Sequence, residues 1–155
     1  MWWRRVRWFL TLISLCAIAT CPSAKRSCTA RNRAQEADDL LAVLGDKVAA
    51  TVATTGKVPP TPAGPTPQPT CCEQGGTCAA DAATWSDKGW RELQFSIDGS
   101  YRYQYQYVPD PSGQSAVIRA TGDLDCNGRG SIYELTLTVT GTTVRRAWHR
   151  KNPYE

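Results

Sequence analysis

Residues 101–107, Tyr-Arg-Tyr-Gln-Tyr-Gln-Tyr, alternate without a break. A strand turns successive side chains to opposite faces, so this run places four tyrosines on one side and Arg102, Gln104 and Gln106 on the other. Large amphipathic rings in a row need a partner layer, and an earlier segment supplies one. Within residues 29–56, Leu41, Leu44, Val48 and Val52 recur at three- and four-residue steps, widened by Ala37 and Leu40. Glu36, Asp38 and Asp39 suit the first half of such a helix, and Gly56 followed by Pro59 ends it. The tyrosine face is expected to pack on this stripe, with hydroxyls reaching the rim for partners.

Further strands are read at Trp90–Ile97, where Trp90, Leu93, Phe95 and Ile97 are apolar, at Ala116–Ala120 and at Ile132–Val139. Asp98-Gly99 and the stretch Pro109–Gly113 are turn signals between them. The expected fold class is α+β: one long N-terminal amphipathic helix packed on an antiparallel β-meander of about four strands. Residues 57–70 hold six prolines and read as a semi-rigid linker. The β-sheet head then spans 71–144. Residues 145–155 form a basic tail whose Arg145, Arg146, Arg150 and Lys151 read as solvated charge.

Residues 1–21 begin with basic MWWRRVR and continue into WFLTLISLCAIA, an apolar run too short to span a bilayer. They are expected to be an export signal. Ile18-Ala19-Thr20-Cys21 also has the form of a lipobox, which makes Cys21 a lipidation candidate, while cleavage after Pro22-Ser23-Ala24 is the alternative. The formal charge is +4, but Arg4, Arg5 and Arg7 would leave with the signal. The remainder is near neutral, at about +1. That gives no electrostatic case for a nucleic-acid partner.

Seven cysteines in an exported chain read as a disulfide framework. Cys16 leaves with the signal. Cys71, Cys72, Cys78 and Cys126 lie in the head. Adjacent Cys71 and Cys72 make a strained ring if paired with each other. One of them is therefore expected to join Cys78 and the other Cys126, with the choice left open. A zinc site is the rival, but the single histidine lies in the tail and CC-x5-C fits no common finger.

Residues 122–134, GDLDCNGRGSIYE, carry the spacing of an EF-hand calcium loop. Counted from Asp123, oxygens fall at positions one, three, five, nine and twelve: Asp123, Asp125, Asn127, Ser131 and Glu134. The Arg129 carbonyl adds position seven, and Gly128 at position six permits the turn. The expected cofactor is Ca2+, held in a β setting because SIYELTLTV leads into a strand. The competing reading is a turn whose Asp and Asn side chains cap their own backbone. His149 stands in the basic tail, and no serine elbow, metal-peptidase helix or phosphate loop appears. No enzyme and no small-molecule substrate are expected.

The order of these pieces resembles bacterial type IV pilin-like proteins. Thr11-Leu12-Ile13-Ser14-Leu15 is similar to the family's hydrophobic TLIEL core, and Gln35-Glu36-Ala37 to its helix signature. Pro65-Thr-Pro, Thr70-Cys71-Cys72, Gly76-Thr77-Cys78, Trp85-Ser86, Trp90-x-x-Leu93-x-Phe95-Ser96 and Ala120–Cys126 resemble one pilin-like branch. Phe9 and Ser14 stand where a prepilin carries glycine and glutamate. The resemblance implies a pilin or pseudopilin head on a degenerate prepilin N-terminus. It further implies a structural protein of the bacterial periplasm, outer membrane or cell surface, a minor component or accessory of a type IV pilus or type II secretion-like system. Its partners would be other pilin-like or envelope proteins, and its membrane contact the signal segment or a lipid anchor. A calcium-dependent adhesion module, or a small surface lipoprotein on the same scaffold, is the alternative.

Overall fold

Helix α1, Pro22–Thr55, carries the periodic stripe into the core, where Ala37, Leu41, Leu44, Val48 and Val52 are fully buried. The computed structural model describes residues 22–154. The export signal and Cys21 lie outside the described residues, as do Phe9 and the stretch Thr11–Leu15. Among the described residues, no helix is long and apolar enough to cross a membrane.

The stripe lies on a five-stranded antiparallel sheet in the order β1-β2-β3-β4-β5. The strands are β1 (Ala63–Thr66), β2 (Gln104–Pro109), β3 (Ser115–Gly122), β4 (Ser131–Thr140) and β5 (Thr143–Lys151). Their inner rows include Tyr105 and Tyr107, Ile118 and Ala120, and Tyr133, Leu135 and Leu137, all buried. The helix rests chiefly on β3, β4 and β5. Gly45 allows the close approach: a methyl group there would stand 2.9 Å from Leu135 Cδ2. The helix interior thus loses some intrinsic propensity at Gly45 and gains contact with β4.

The four-strand meander is corrected on several points. The proline-rich segment 57–70 is not merely a linker, because Ala63–Thr66 pairs with β2 and forms one edge of the sheet. Proline is tolerated at such an edge, where one side of the strand needs no ladder hydrogen bond. Residues 145–151 are not a solvated tail but most of β5, in register with β4 from Thr140↔Thr143 to Ile132↔Lys151. A Gly141-Thr142 turn joins the two strands, with Gly141 at φ 64°.

Trp90–Ile97 is not a strand. It starts as the short helix α2, Lys88–Glu92, and then turns at Gln94, whose φ is 51°. Trp90 and Leu93 are three residues apart, a helical spacing, and α2 delivers Trp90 into an aromatic cluster with Trp85 and Phe95. Ring centroids of 5.3–5.5 Å and edge or tilted geometries are the favourable arrangements for such rings. Trp90 Nε1 donates to Thr66 Oγ1 at 2.8 Å, which ties α2 to β1.

The alternating tyrosines behave as a buried face. Tyr101, Tyr103, Tyr105 and Tyr107 are all at most 1% exposed, although ladder pairing starts only at Gln104. Two of their hydroxyls find protein partners where the helix and its exit pass, while among the described residues that of Tyr103 is buried without one. Tyr105 donates to Glu36 at 3.2 Å, and Tyr107 donates to the Pro59 carbonyl at 2.7 Å. Burial pushes the Tyr103, Tyr105 and Tyr107 phenols well above their ordinary value.

Candidate functional site

The Asp123 loop joins β3 to β4, and its backbone reverses through Cys126 at φ 56° and Gly128 at φ 89°. Asp123 holds the turn closed. Its Oδ1 accepts from Asn127 N at 3.1 Å and its Oδ2 from Gly128 N at 2.7 Å. Asn127 in turn donates from Nδ2 to Asp125 Oδ2 at 2.9 Å and accepts from Arg129 N at 2.8 Å. Partial burial pushes the Asp123 carboxyl up, but the N–H groups of Gly128, Asn127 and Cys126, together with Asp125, outweigh that and leave it below its ordinary value.

Asp123, Asp125 and Asn127 are therefore brought together, while other residues of the calcium pattern are not. Ser131 is buried at the start of β4 and donates to the Gly122 carbonyl at 3.0 Å. Glu134, expected to close the cage from position twelve, lies on the sheet face away from α1 and pairs with Arg119 at 2.5 Å. Strand alternation dictates this: Tyr133 is committed to the core, so Glu134 must point the other way. Arg129 contributes its backbone N–H to the turn.

Calcium requires six to eight oxygens, commonly with a bidentate carboxylate among them. As folded, both Asp123 oxygens and Asn127 Oδ1 already receive backbone N–H groups. Among the described residues, no group of three or more His, Cys, Asp and Glu side chains stands ready to hold a metal. The geometry is that of a capped turn.

A covalent staple fixes this turn to the rest of the head. Cys71 stands at disulfide distance from Cys78, with a Cα separation of 5.0 Å, and Cys72 from Cys126 at 5.5 Å. The first pair closes a tight loop around the Cys72–Gln74 turn, beside the Cys78↔Tyr101 bridge. The second pair spans 54 residues and pins the Asp123 loop to the Cys72–Gln74 turn. Of the two pairings the sequence left open, this arrangement is the one present.

The contact that the sequence did not reveal is made by Glu36, which was read there only as a helix residue. Its side chain is only 15% exposed, between α1 and the tyrosine strand. Oε1 accepts from Arg102 N at 2.8 Å and from Tyr105, and Oε2 lies 3.4 Å from the Arg102 guanidinium. Its position next to Ala37 and a helical turn before Leu40 put it on the border of the apolar stripe, which was the available signal. His149 lies on β5 directly across from Glu134, whose carboxylate is engaged by Arg119. Comparison with family models, with curated proteins and with solved structures finds no match to this chain.

Proposed function

We propose that this chain is an exported, non-enzymatic structural protein of the type IV pilin-like kind. It works as a rigid head that assembles with other pilin-like or envelope proteins, as a minor component or accessory of a pilus or secretion system. The observation that carries the reading is the joint packing of the residues behind the resemblance. Glu36 on the long helix is fastened to the tyrosine strand, and Cys72–Cys126 fastens the Asp123 turn to the head. Two closely placed cysteine pairs support an oxidising compartment, hence the periplasm, outer membrane or cell surface. Membrane attachment would come through the signal segment or a lipid on Cys21.

The test is fractionation of cells producing the wild type and Cys21→Ser, followed by crosslinking and identification of the bound proteins. Recovery in the envelope with assembly components as crosslinked partners is expected. A cytosolic protein with four alkylatable head thiols would overturn the reading. Equal membrane release of wild type and Cys21→Ser would remove the lipid anchor alone.

A second reading, a calcium-dependent adhesion module, is supported by the convergence of Asp123, Asp125 and Asn127. It requires their oxygens to exchange backbone N–H groups for the ion. Calorimetry with calcium, beside Asp125→Ala and Glu134→Gln, separates the readings. Binding heat lost in Asp125→Ala favours the calcium module, and no heat at millimolar calcium discards it.

A further inference from the structure

The two edges of the sheet are built differently. β1 is four residues long, contains Pro65 and pairs irregularly with β2, all of which discourage another strand from adding there. β5 has none of these guards. It runs nine residues without proline, and every residue from Arg145 to Lys151 is exposed. The two-residue turn joins Thr140 and Thr143 as a hydrogen-bonded pair, and such pairs alternate along an antiparallel ladder. Val144, Arg146, Trp148 and Arg150 therefore aim their backbone N–H and C=O groups away from β4, along the open edge.

The side chains of β5 form two rows of different character. The inner row is tied to α1: Arg146 pairs with Asp46 at 2.6 Å and Arg150 with Asp38 at 2.8 Å. Between them Trp148 is 38% exposed, with the Arg150 guanidinium 5.1 Å from its ring centre. The outer row is Arg145, Ala147, His149 and Lys151, and among the described residues Arg145 and Lys151 make no ion pair. Across the outer face, Arg119 of β3, Glu134 of β4 and His149 of β5 lie side by side. Beyond the edge, the outer row of an added strand would lie beside Arg145 and Lys151, where carboxylates suit the two cations.

We propose that β5 is a docking edge for an extended acidic segment of a partner protein, which adds to the sheet as a sixth strand. Its backbone would bond to the outward N–H and C=O groups of Val144, Arg146, Trp148 and Arg150, giving affinity that does not depend on sequence. Its acidic side chains would face Arg145 and Lys151, and an apolar residue on its other face would cover Trp148, the kind of aromatic anchor that dominates interfaces. A second copy of this chain is disfavoured as the occupant, because β5 against β5 would set one row of cations against another.

The test uses the full chain and a synthetic peptide of about nine residues alternating glutamate with valine, with a lysine-for-glutamate peptide and inorganic polyphosphate as comparisons. Calorimetry should show binding of the glutamate peptide and none of the lysine peptide. Hydrogen exchange should slow at the amides of Val144, Arg146, Trp148 and Arg150. Reversing Arg145 and Lys151 to glutamate should weaken binding by roughly tenfold with unchanged melting, and Trp148→Pro should abolish the slowed exchange. Failure of the glutamate peptide to bind would overturn the proposal. So would binding that ignores the charge reversal. Equal binding by polyphosphate, with no protection along the edge, would make β5 a nonspecific anion surface and overturn it as well.

Discussion

Glu36 grips Arg102 twice, accepting its backbone N–H at 2.8 Å on one oxygen and facing its guanidinium at 3.4 Å on the other. A single carboxylate on the helix thereby fixes where the tyrosine strand enters the sheet, and Tyr105 adds a third contact. Glu36→Ala leaves the Arg102 amide and the Tyr105 hydroxyl without this partner beneath the helix. It should destabilise the fold by about 2–3 kcal/mol, and Glu36→Gln by about 1 kcal/mol, in urea unfolding. Asp39→Ala, on the exposed side of the same turn, should change stability by less than about 0.5 kcal/mol. Equal effects at positions 36 and 39 would remove Glu36 from any special role.

The two cysteine pairs should contribute unequally. Closing the 7-residue separation of Cys71–Cys78 restrains the unfolded chain less than closing the 54 residues of Cys72–Cys126. Chain-entropy reasoning gives about 2 kcal/mol for the first and about 4 kcal/mol for the second. Paired serine substitutions, compared by denaturant unfolding, read this order directly. Mass spectrometry of the non-reduced head should find no free thiol among the four and a peptide link from Cys72 to Cys126. A link from Cys71 to Cys126 would refute the assignment.

Asp123 and Asp125 should separate sharply on mutation, although both belong to one acidic loop. Asp123 accepts two backbone N–H groups, whereas Asp125 accepts one side-chain amide. Asp123→Ala should cost about 1–2 kcal/mol and Asp125→Ala less than about 0.5 kcal/mol. Because the Asp123 carboxyl is depressed from its ordinary 3.8, its contribution is complete above that value and is lost as pH falls through the lower folded value. The wild type should therefore lose more stability than Asp123→Ala between neutral pH and about pH 3, followed by thermal unfolding.

At the alkaline end the sign reverses. Burial raises Tyr101, Tyr103, Tyr105, Tyr107 and Tyr133 above the ordinary 10.0. These phenols add stability in full below that pH, and it is lost as pH rises through their folded values, because the unfolded chain releases its protons first. Tyrosinate absorbance should hence rise together with loss of β-sheet circular dichroism, in one cooperative step above pH 10. Independent titration of most tyrosines in a still-folded protein would contradict the buried face.

What could be read from the residues follows from how one-sided each element is. The stripe of Leu41, Leu44, Val48 and Val52 was legible because one side of α1 is buried and the other wet. The tyrosine alternation was legible for the same reason. β5 escaped because an edge strand beside charged partners keeps both rows near water, so Arg145 to Lys151 show no apolar alternation. Its turn, Thr140-Gly141-Thr142-Thr143, was the signal overlooked. β1 was masked by its prolines, and α2 by the mixed spacing of Trp90, Leu93, Phe95 and Ile97. In the Asp123 loop the oxygens were correctly spaced for a cage. Spacing could not reveal that Glu134 is held across the strands by Arg119, a contact set by register.

The ion pairs between α1 and β5 link residues 100 and 112 positions apart. During synthesis the helix therefore emerges long before the strand that flanks it, and its apolar stripe has no permanent cover until β3, β4 and β5 follow. Such distant closure is slow compared with local helix formation. A chain cut before Thr143 would keep the helix and most of the sheet yet leave Asp38 and Asp46 without their arginines, and it would be prey to proteases for as long as it persists.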